Sequence, residues 1–477
     1  MYYFILDKIK NSFWVFVLVA SGVSLCANLL GALSLTLAIF FIGLLIALMV
    51  IYSIYLNPLY AVIINWFCTF LLFFLFYRVL KVTSIPLGFA LEGLNFLALF
   101  VLLFRGKLSG HQQRIGGLLL LWLLLCFIEL FNPFAASRGA WFHAIRQVVN
   151  NIIPFFIIYS ILLYQKKSIN YLLGTWVLFT TLAALYTLVQ EFGGYPPWDY
   201  NYIARDENAM SLINTFGRMR KISFFSGPME NGVVLAFNGV MCLGLAFQRG
   251  MKMWHKYGYL VLSMLSAWAM IYTGTRTATV MFVAGAAIYV ILSRRRELLL
   301  YTAFVTCMLV AYIAVTGGGQ ALYVMTTAFN PDEDPSMQVR YNNQMRLRTY
   351  LVRSPIGYGL GSTGYLGMKY SPHTFLGSFP PDSELVRIVI ETGFIGLALW
   401  LYINFYAIKR SLDSLKIRVD DFSDNFRMVL VALLFMFLLG QYPQEIMNIG
   451  SLKILFALCL AYISLDSSQM KQEVENG

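Results

Sequence analysis

Arg218, Arg220 and Lys221 crowd into one short stretch, and a long apolar run opens soon after at Pro228. A lone Arg276 closes the turn Tyr272-Thr273-Gly274-Thr275 between two further apolar runs, and Arg346, Arg348 and Arg353 follow in a long polar segment. A guanidinium presents a planar fork of donors that meets two phosphate oxygens at once, so cations of this kind can form a site for an anionic headgroup. Arginine at a membrane surface also simply contacts lipid phosphates, and each of these residues taken singly fits that role. Asp382 and Glu384 stand where the polar segment gives way to another apolar run, with His373 nine residues before Asp382. A partly buried carboxylate there can serve as general base, and a carboxylate at a helix start can equally be a cap. Tyr195-Pro196-Pro197-Trp198-Asp199-Tyr200-Asn201-Tyr202 offers aromatic faces that suit either sugar stacking or anchoring at a membrane interface. Asp332-Glu333-Asp334, between Pro331 and Pro335, reads as a solvated turn.

The elements that must position these residues are membrane helices. Of 477 residues 59% are hydrophobic and only 12% charged, against about a quarter charged in an ordinary soluble chain. The mean hydropathy is +0.69. Apolar runs fall near 13–32, 36–55, 59–76, 86–104, 116–131, 150–164, 171–190, 228–248, 257–273, 276–293, 298–315, 384–407, 427–442 and 450–465. This predicts an all-α polytopic integral membrane protein of roughly fourteen transmembrane helices. The stretch 132–149 reads as amphipathic and interfacial. The first apolar run reads as a retained helix, because Leu25 stands ahead of Cys26 where a cleavage site wants a small residue. The six cysteines all lie in apolar runs without a CxxC pair, which suggests neither a disulfide nor a metal site.

Short basic loops set the expected orientation. Lys8 and Lys10, Arg105 and Lys107, Lys166 and Lys167, Arg249 and Lys252, Arg294 to Arg296, and Lys409 and Arg410 all fall on one side if every run spans. An excess of Lys and Arg in short loops marks the cytoplasmic side, so both termini are expected there. The chain then divides into N-terminal helices (1–190), an outer loop (191–227), helices (228–315), a large outer loop (316–383) and closing helices with a cytoplasmic tail (384–477). Long outer loops point to work done at the outer face. The net charge of +12 is scattered over inter-helix turns, which argues for membrane lipid or an anionic lipid-linked substrate and against nucleic acid. No Ser-His-Asp set, P-loop, zinc signature or dinucleotide fingerprint appears.

Three segments carry a family resemblance. Arg220 through Ser226-Gly227-Pro228, then Thr273-Gly274-Thr275-Arg276, then Ser354-Pro355-Ile356-Gly357-Tyr358-Gly359-Leu360-Gly361 with Asp382-Ser383-Glu384-Leu385 and Glu391-Thr392-Gly393-Phe394-Ile395-Gly396 follow in order. Their order and spacing resemble the O-antigen ligase and Wzy-type polysaccharide polymerase superfamily of bacterial polysaccharide assembly. The resemblance implies a GT-C-like membrane glycosyltransferase fold with two long periplasmic loops, in the bacterial inner membrane, with the active site facing the periplasm. It implies glycosyl transfer from an undecaprenyl-pyrophosphate-linked glycan with neither metal nor cofactor, and a chain-length regulator protein as a further partner. On this pattern Arg220 and Arg276 hold the donor pyrophosphate, assisted by Arg218, Lys221, Arg346 and Arg348. Ligases of the superfamily carry His-Asn where this chain has Asp382-Ser383, which points to a polymerase that uses the lipid-linked oligosaccharide as donor and acceptor. Asp382 is then the favoured base, with Glu384 and His373 in reserve. A ligase or other oligosaccharyltransferase is the nearest alternative. A flippase for the same lipid-linked glycan is the alternative of another class, and would place ionisable groups within the spans, where Glu92, Glu129 and Glu445 are the main candidates.

Overall fold

The computed structural model describes residues 35–82, 87–205, 210, 213–215, 218–315, 335–416 and 421–475. The expected run 13–32, the basic residues Lys8 and Lys10, and Asp332-Glu333-Asp334 lie outside the described residues. The described chain is almost entirely helical, with one two-residue antiparallel ladder between Asn214–Thr215 and Arg218–Met219. Among the described residues nine helices are long and apolar enough to cross a membrane. They are Leu59–Val79, Leu87–Phe104, Arg114–Phe131, Arg138–Tyr164, Ser168–Phe192, Pro228–Ala246, Arg276–Ser293, Glu384–Ser414 and Asp421–Gln441. Two shorter apolar helices, Ile42–Leu56 and Gly450–Leu465, accompany them. Met253–Ile271 and Arg296–Val315 are helical as expected but are not among the nine, so the described residues do not confirm a count of fourteen spans.

The stretch 132–149 departs from its interfacial reading. Most of it belongs to the unbroken 27-residue helix Arg138–Tyr164. Trp141, Ala144 and Ile145 are buried in the bundle, and Arg146 pairs with Glu92 of Leu87–Phe104 at 3.2 Å. One charged residue of this stretch, Arg146, is therefore met by a neighbouring helix.

Pro228–Ala246 is the centre of the bundle, buried along nearly its whole length. Its glycines let neighbours approach: a Cβ on Gly244 would lie 2.1 Å from the Val429 side chain, and one on Gly232 2.6 Å from Thr273 Oγ1. The second contact matters for the site, because it seats the Tyr272–Thr275 turn against the start of this helix.

Polar contacts gather the helix ends into two groups. At one end Arg105 donates to the Tyr55 and Leu56 carbonyls, Asn57 reaches Gln165 at 3.5 Å, Lys256 pairs with Glu297 at 3.1 Å and Arg249 with Asp421 at 3.7 Å. These ends carry the short basic loops. Elsewhere Lys221 N donates to the Tyr272 carbonyl and Glu384 N to the Gln444 carbonyl, and most of the expected site residues lie in or beside these two junctions.

Candidate functional site

The first cluster is built on two turns. Arg220 Nε donates to the Thr273 carbonyl at 2.8 Å and its Nη2 to Thr275 Oγ1 at 3.1 Å, while Lys221 N donates to the Tyr272 carbonyl at 3.0 Å. Thr275 Oγ1 in turn donates to the Pro228 carbonyl at 3.0 Å, tying the turn to the central helix. Gly274 adopts φ +59°, a left-handed conformation that a Cβ would strain, and a side chain there would also meet Arg220 Nε at 3.3 Å. Arg276 follows at the first position of its helix, within electrostatic reach of Arg220. Burial first, and then the charge of Arg276, push the Arg220 guanidinium down to about 10. Two like charges held together in a half-buried turn repel each other, and an anion placed between them would relieve that repulsion.

Arg218 and Lys221 stand beside this pair with a different partner. Arg218 meets Glu191 at 2.6 Å and Lys221 meets its other oxygen at 3.4 Å. Burial lowers the Lys221 pKa while Glu191 pulls it back up. Tyr195 donates to the Arg220 carbonyl and lies under the Lys221 ammonium at 4.9 Å, so the aromatic stretch shapes this cluster.

The second cluster lies at the start of Glu384–Ser414. Ser383, not Asp382, is the cap: its hydroxyl accepts from Val386 N at 3.4 Å. Asp382 is exposed, with φ 49°. Glu384 is buried and locked to Arg387 at 2.6 Å, and Arg387 also meets Glu445 at 3.0 Å. Burial raises the Glu445 pKa, Arg387 opposes it, and the neighbouring charges of Glu384 and Asp382 add to the rise.

Further along the same helix, Glu391 accepts from Gly361 N at 3.1 Å. Tyr358 N donates to the Ile390 carbonyl at 2.8 Å and Phe394 N to the Pro355 carbonyl at 2.9 Å. The loop 354–361 thus docks by its backbone into a helix broken at Gly393 (φ 66°). A Cβ on Gly393 would lie 2.2 Å from Pro355 O, which is why glycine is needed at that break.

A cavity of about 430 Å³ opens between the segment that follows the first cluster and the 448–454 stretch that follows Glu445, without being lined by the cluster residues themselves. Ser226 and Glu230 line it from the segment that follows Lys221, and Asn448 lines it while donating to Glu445. Arg78 and Lys453 complete its charged wall with Glu92. Arg78 is placed by two π-helical turns, Cys68–Leu72 and Leu75–Val79, the second of which carries it in its last turn. It meets Asp199 at 3.0 Å and the Ser223 carbonyl at 2.7 Å, and Tyr186 and Gln190 each donate to Asp199 at 2.7 Å.

Arg218, Arg220, Lys221 and Arg276 therefore come together, as do Asp382 and Glu384. Arg346 and Arg348 are exposed on the helix Pro335–Arg353 and His373 is exposed in a turn, and among the described contacts none joins either cluster. The charges within the spans are more numerous than Glu92, Glu129 and Glu445. Glu445 itself lies between helices, whereas Arg78, Arg146, Glu230, Arg387 and Glu391 all lie in spanning helices and Lys453 in a shorter apolar one. Their signal was present as lone charges inside apolar runs, a pattern that marks function or a buried partner.

No curated protein matches the chain. Residues 261–401, which contain the Arg276 turn, the docking loop and the Asp382–Gly396 segment but not Arg220, match the family described as O-Antigen ligase, and over that stretch the chain is similar to the O-antigen ligase and Wzy-type superfamily.

Proposed function

We propose that this chain is a polymerase that joins undecaprenyl-pyrophosphate-linked oligosaccharide repeats, at the periplasmic face of the inner membrane, into O-antigen, capsular or exopolysaccharide. The observation that carries the reading is the Arg220–Arg276 pair, two cations within electrostatic reach, with Arg220 bonded to the turn that Thr275 ties to the central helix. In the reaction, the acceptor hydroxyl gives its proton to the Asp382 carboxylate and its oxygen attacks the anomeric carbon of the donor. The carbon–oxygen bond to pyrophosphate breaks, and the electron pair leaves with the pyrophosphate. Fixed guanidiniums stabilise that growing charge without reorganising. Asp382 is favoured over Glu384 as base because Glu384 is held by Arg387, whereas Asp382 is exposed beside the cluster. Arg218 and Lys221 act on the pyrophosphate through the field of the cluster, since Glu191 takes their direct contacts.

The family match is equally compatible with a ligase, and the position that separates the two is Asp382-Ser383, where ligases carry His-Asn. Purified protein given a lipid-linked single repeat, with and without a separate lipid acceptor, decides between them. A ladder of products formed without the acceptor is expected. Transfer to the acceptor and no ladder would mean a ligase, and movement of the repeat across a vesicle without any new bond would mean a flippase.

A further inference from the structure

The cavity lined by Ser226 and Glu230 on one side and Asn448 and Lys453 on the other has a chemistry of its own. Its walls are crowded with groups that both give and take hydrogen bonds, and their charges nearly cancel. Asn65 donates to Asn95 at 2.9 Å, Asn95 to Asn150 at 3.4 Å, and Asn150 to Glu92, a chain that fixes the orientation of three amides. Arg78 has one amino group, Nη2, that is buried without a partner. Among the described residues Glu230 binds only Ser226, at 2.7 Å from its hydroxyl, and Lys453 makes no ion pair although Glu230 and Glu92 lie near it. A carboxylate and an ammonium are thus kept apart across an open space of about 430 Å³, within the size range of small-molecule sites.

An anionic guest would face Glu92 and Glu230, and a cationic one would face Lys453 and Arg78. A hydroxyl satisfies both, because it donates to a carboxylate and accepts from an ammonium or guanidinium. Tyr202 and Phe224 add ring surface to the same walls. We propose that this cavity holds an uncharged sugar of the lipid-linked glycan, bound through its hydroxyls between Glu230 and Lys453. This rests on the reading that Arg220 and Arg276 hold the pyrophosphate, which puts the adjoining sugar beside Ser226 and Glu230.

The test uses the full chain in lipid nanodiscs and two probes. One is undecaprenyl pyrophosphate without sugar, and the other is the lipid-linked single repeat that accumulates in cells lacking this chain. The parent is expected to bind the repeat more tightly than the bare lipid. Lys453→Met and Glu230→Gln should each remove about tenfold or more of that added affinity, the effect of losing a charged hydrogen bond, while binding the bare lipid as the parent does. Equal binding of the two probes by the parent, or undiminished preference in both variants, would overturn the sugar site and leave the pyrophosphate site standing. Failure of the parent to bind either probe would overturn both. Phosphatidylethanolamine retained by the purified parent and lost from Lys453→Met would assign the cavity to a zwitterionic headgroup instead. Should Lys453→Met not fold, the near-isosteric Glu230→Gln decides.

Discussion

In the proposed reaction Arg276 and Asp382 are the residues on which the chemistry turns, and each has a substitution that separates its roles. Lys in place of Arg276 keeps the charge but loses the two-point fork, so polymer formation should fall about a hundredfold or more, as when one fixed donor to a developing anion is lost. A guanidinium that only touches lipid would accept Lys with little change, and near-normal polymer from a normally expressed variant would show that. Asp382 has φ 49°, a left-handed conformation that Asn tolerates as well as Asp, and the helix cap is supplied by Ser383. Asp382→Asn should therefore fold normally yet lose roughly two to four orders of magnitude in polymerisation rate, because an amide cannot take the proton. Polymerisation at the parental rate would move the base elsewhere, and Glu384→Gln would be next. The two roles that the sequence left open for Asp382 were separable only by geometry, since nothing in Asp382-Ser383-Glu384 says which side chain turns back to Val386 N.

At the level of elements, the helix Glu384–Ser414 is a joint rather than a rod. Its break at Gly393 receives the carbonyl of Pro355, and the loop glycines Gly357, Gly359 and Gly361 all take positive φ to make that docking possible. Gly393→Ala should lower the melting temperature of the purified protein, since φ 66° with ψ −168° is a region all but restricted to glycine and costs alanine about 1–3 kcal/mol before its clash with Pro355 O is counted. A Gly393→Ala variant as stable as the parent would contradict the docking. The apolar runs announced most helices to within a few residues, because burial in lipid or protein demands them. The interfacial reading of 132–149 failed because the partner that satisfies Arg146 is Glu92, on another helix, and local sequence does not record such a pairing. Arg78 with Asp199, and Arg387 with Glu445, were illegible for the same reason. The glycine-rich motif was visible as a resemblance, but its cause is a backbone contact that no residue type declares.

For the whole molecule, several short basic loops are tied to neighbouring helix ends, Arg105 to the Leu56 carbonyl, Lys256 to Glu297 and Arg249 to Asp421. On the positive-inside rule the basic loops are expected on the cytoplasmic side, which labelling can check. A cysteine placed at Asn201, which is exposed, should react with an impermeant reagent added to intact cells, and one at Ser293 should react only after rupture. The reverse pattern would put the clusters on the wrong side for a periplasmic donor. The most direct test of the central claim is a count: undecaprenyl pyrophosphate released per glycosidic bond formed, by the purified chain acting on a lipid-linked single repeat alone. The account predicts a polymer ladder with one lipid pyrophosphate freed for each bond. No ladder, or a ladder without matching release of the lipid pyrophosphate, would contradict it.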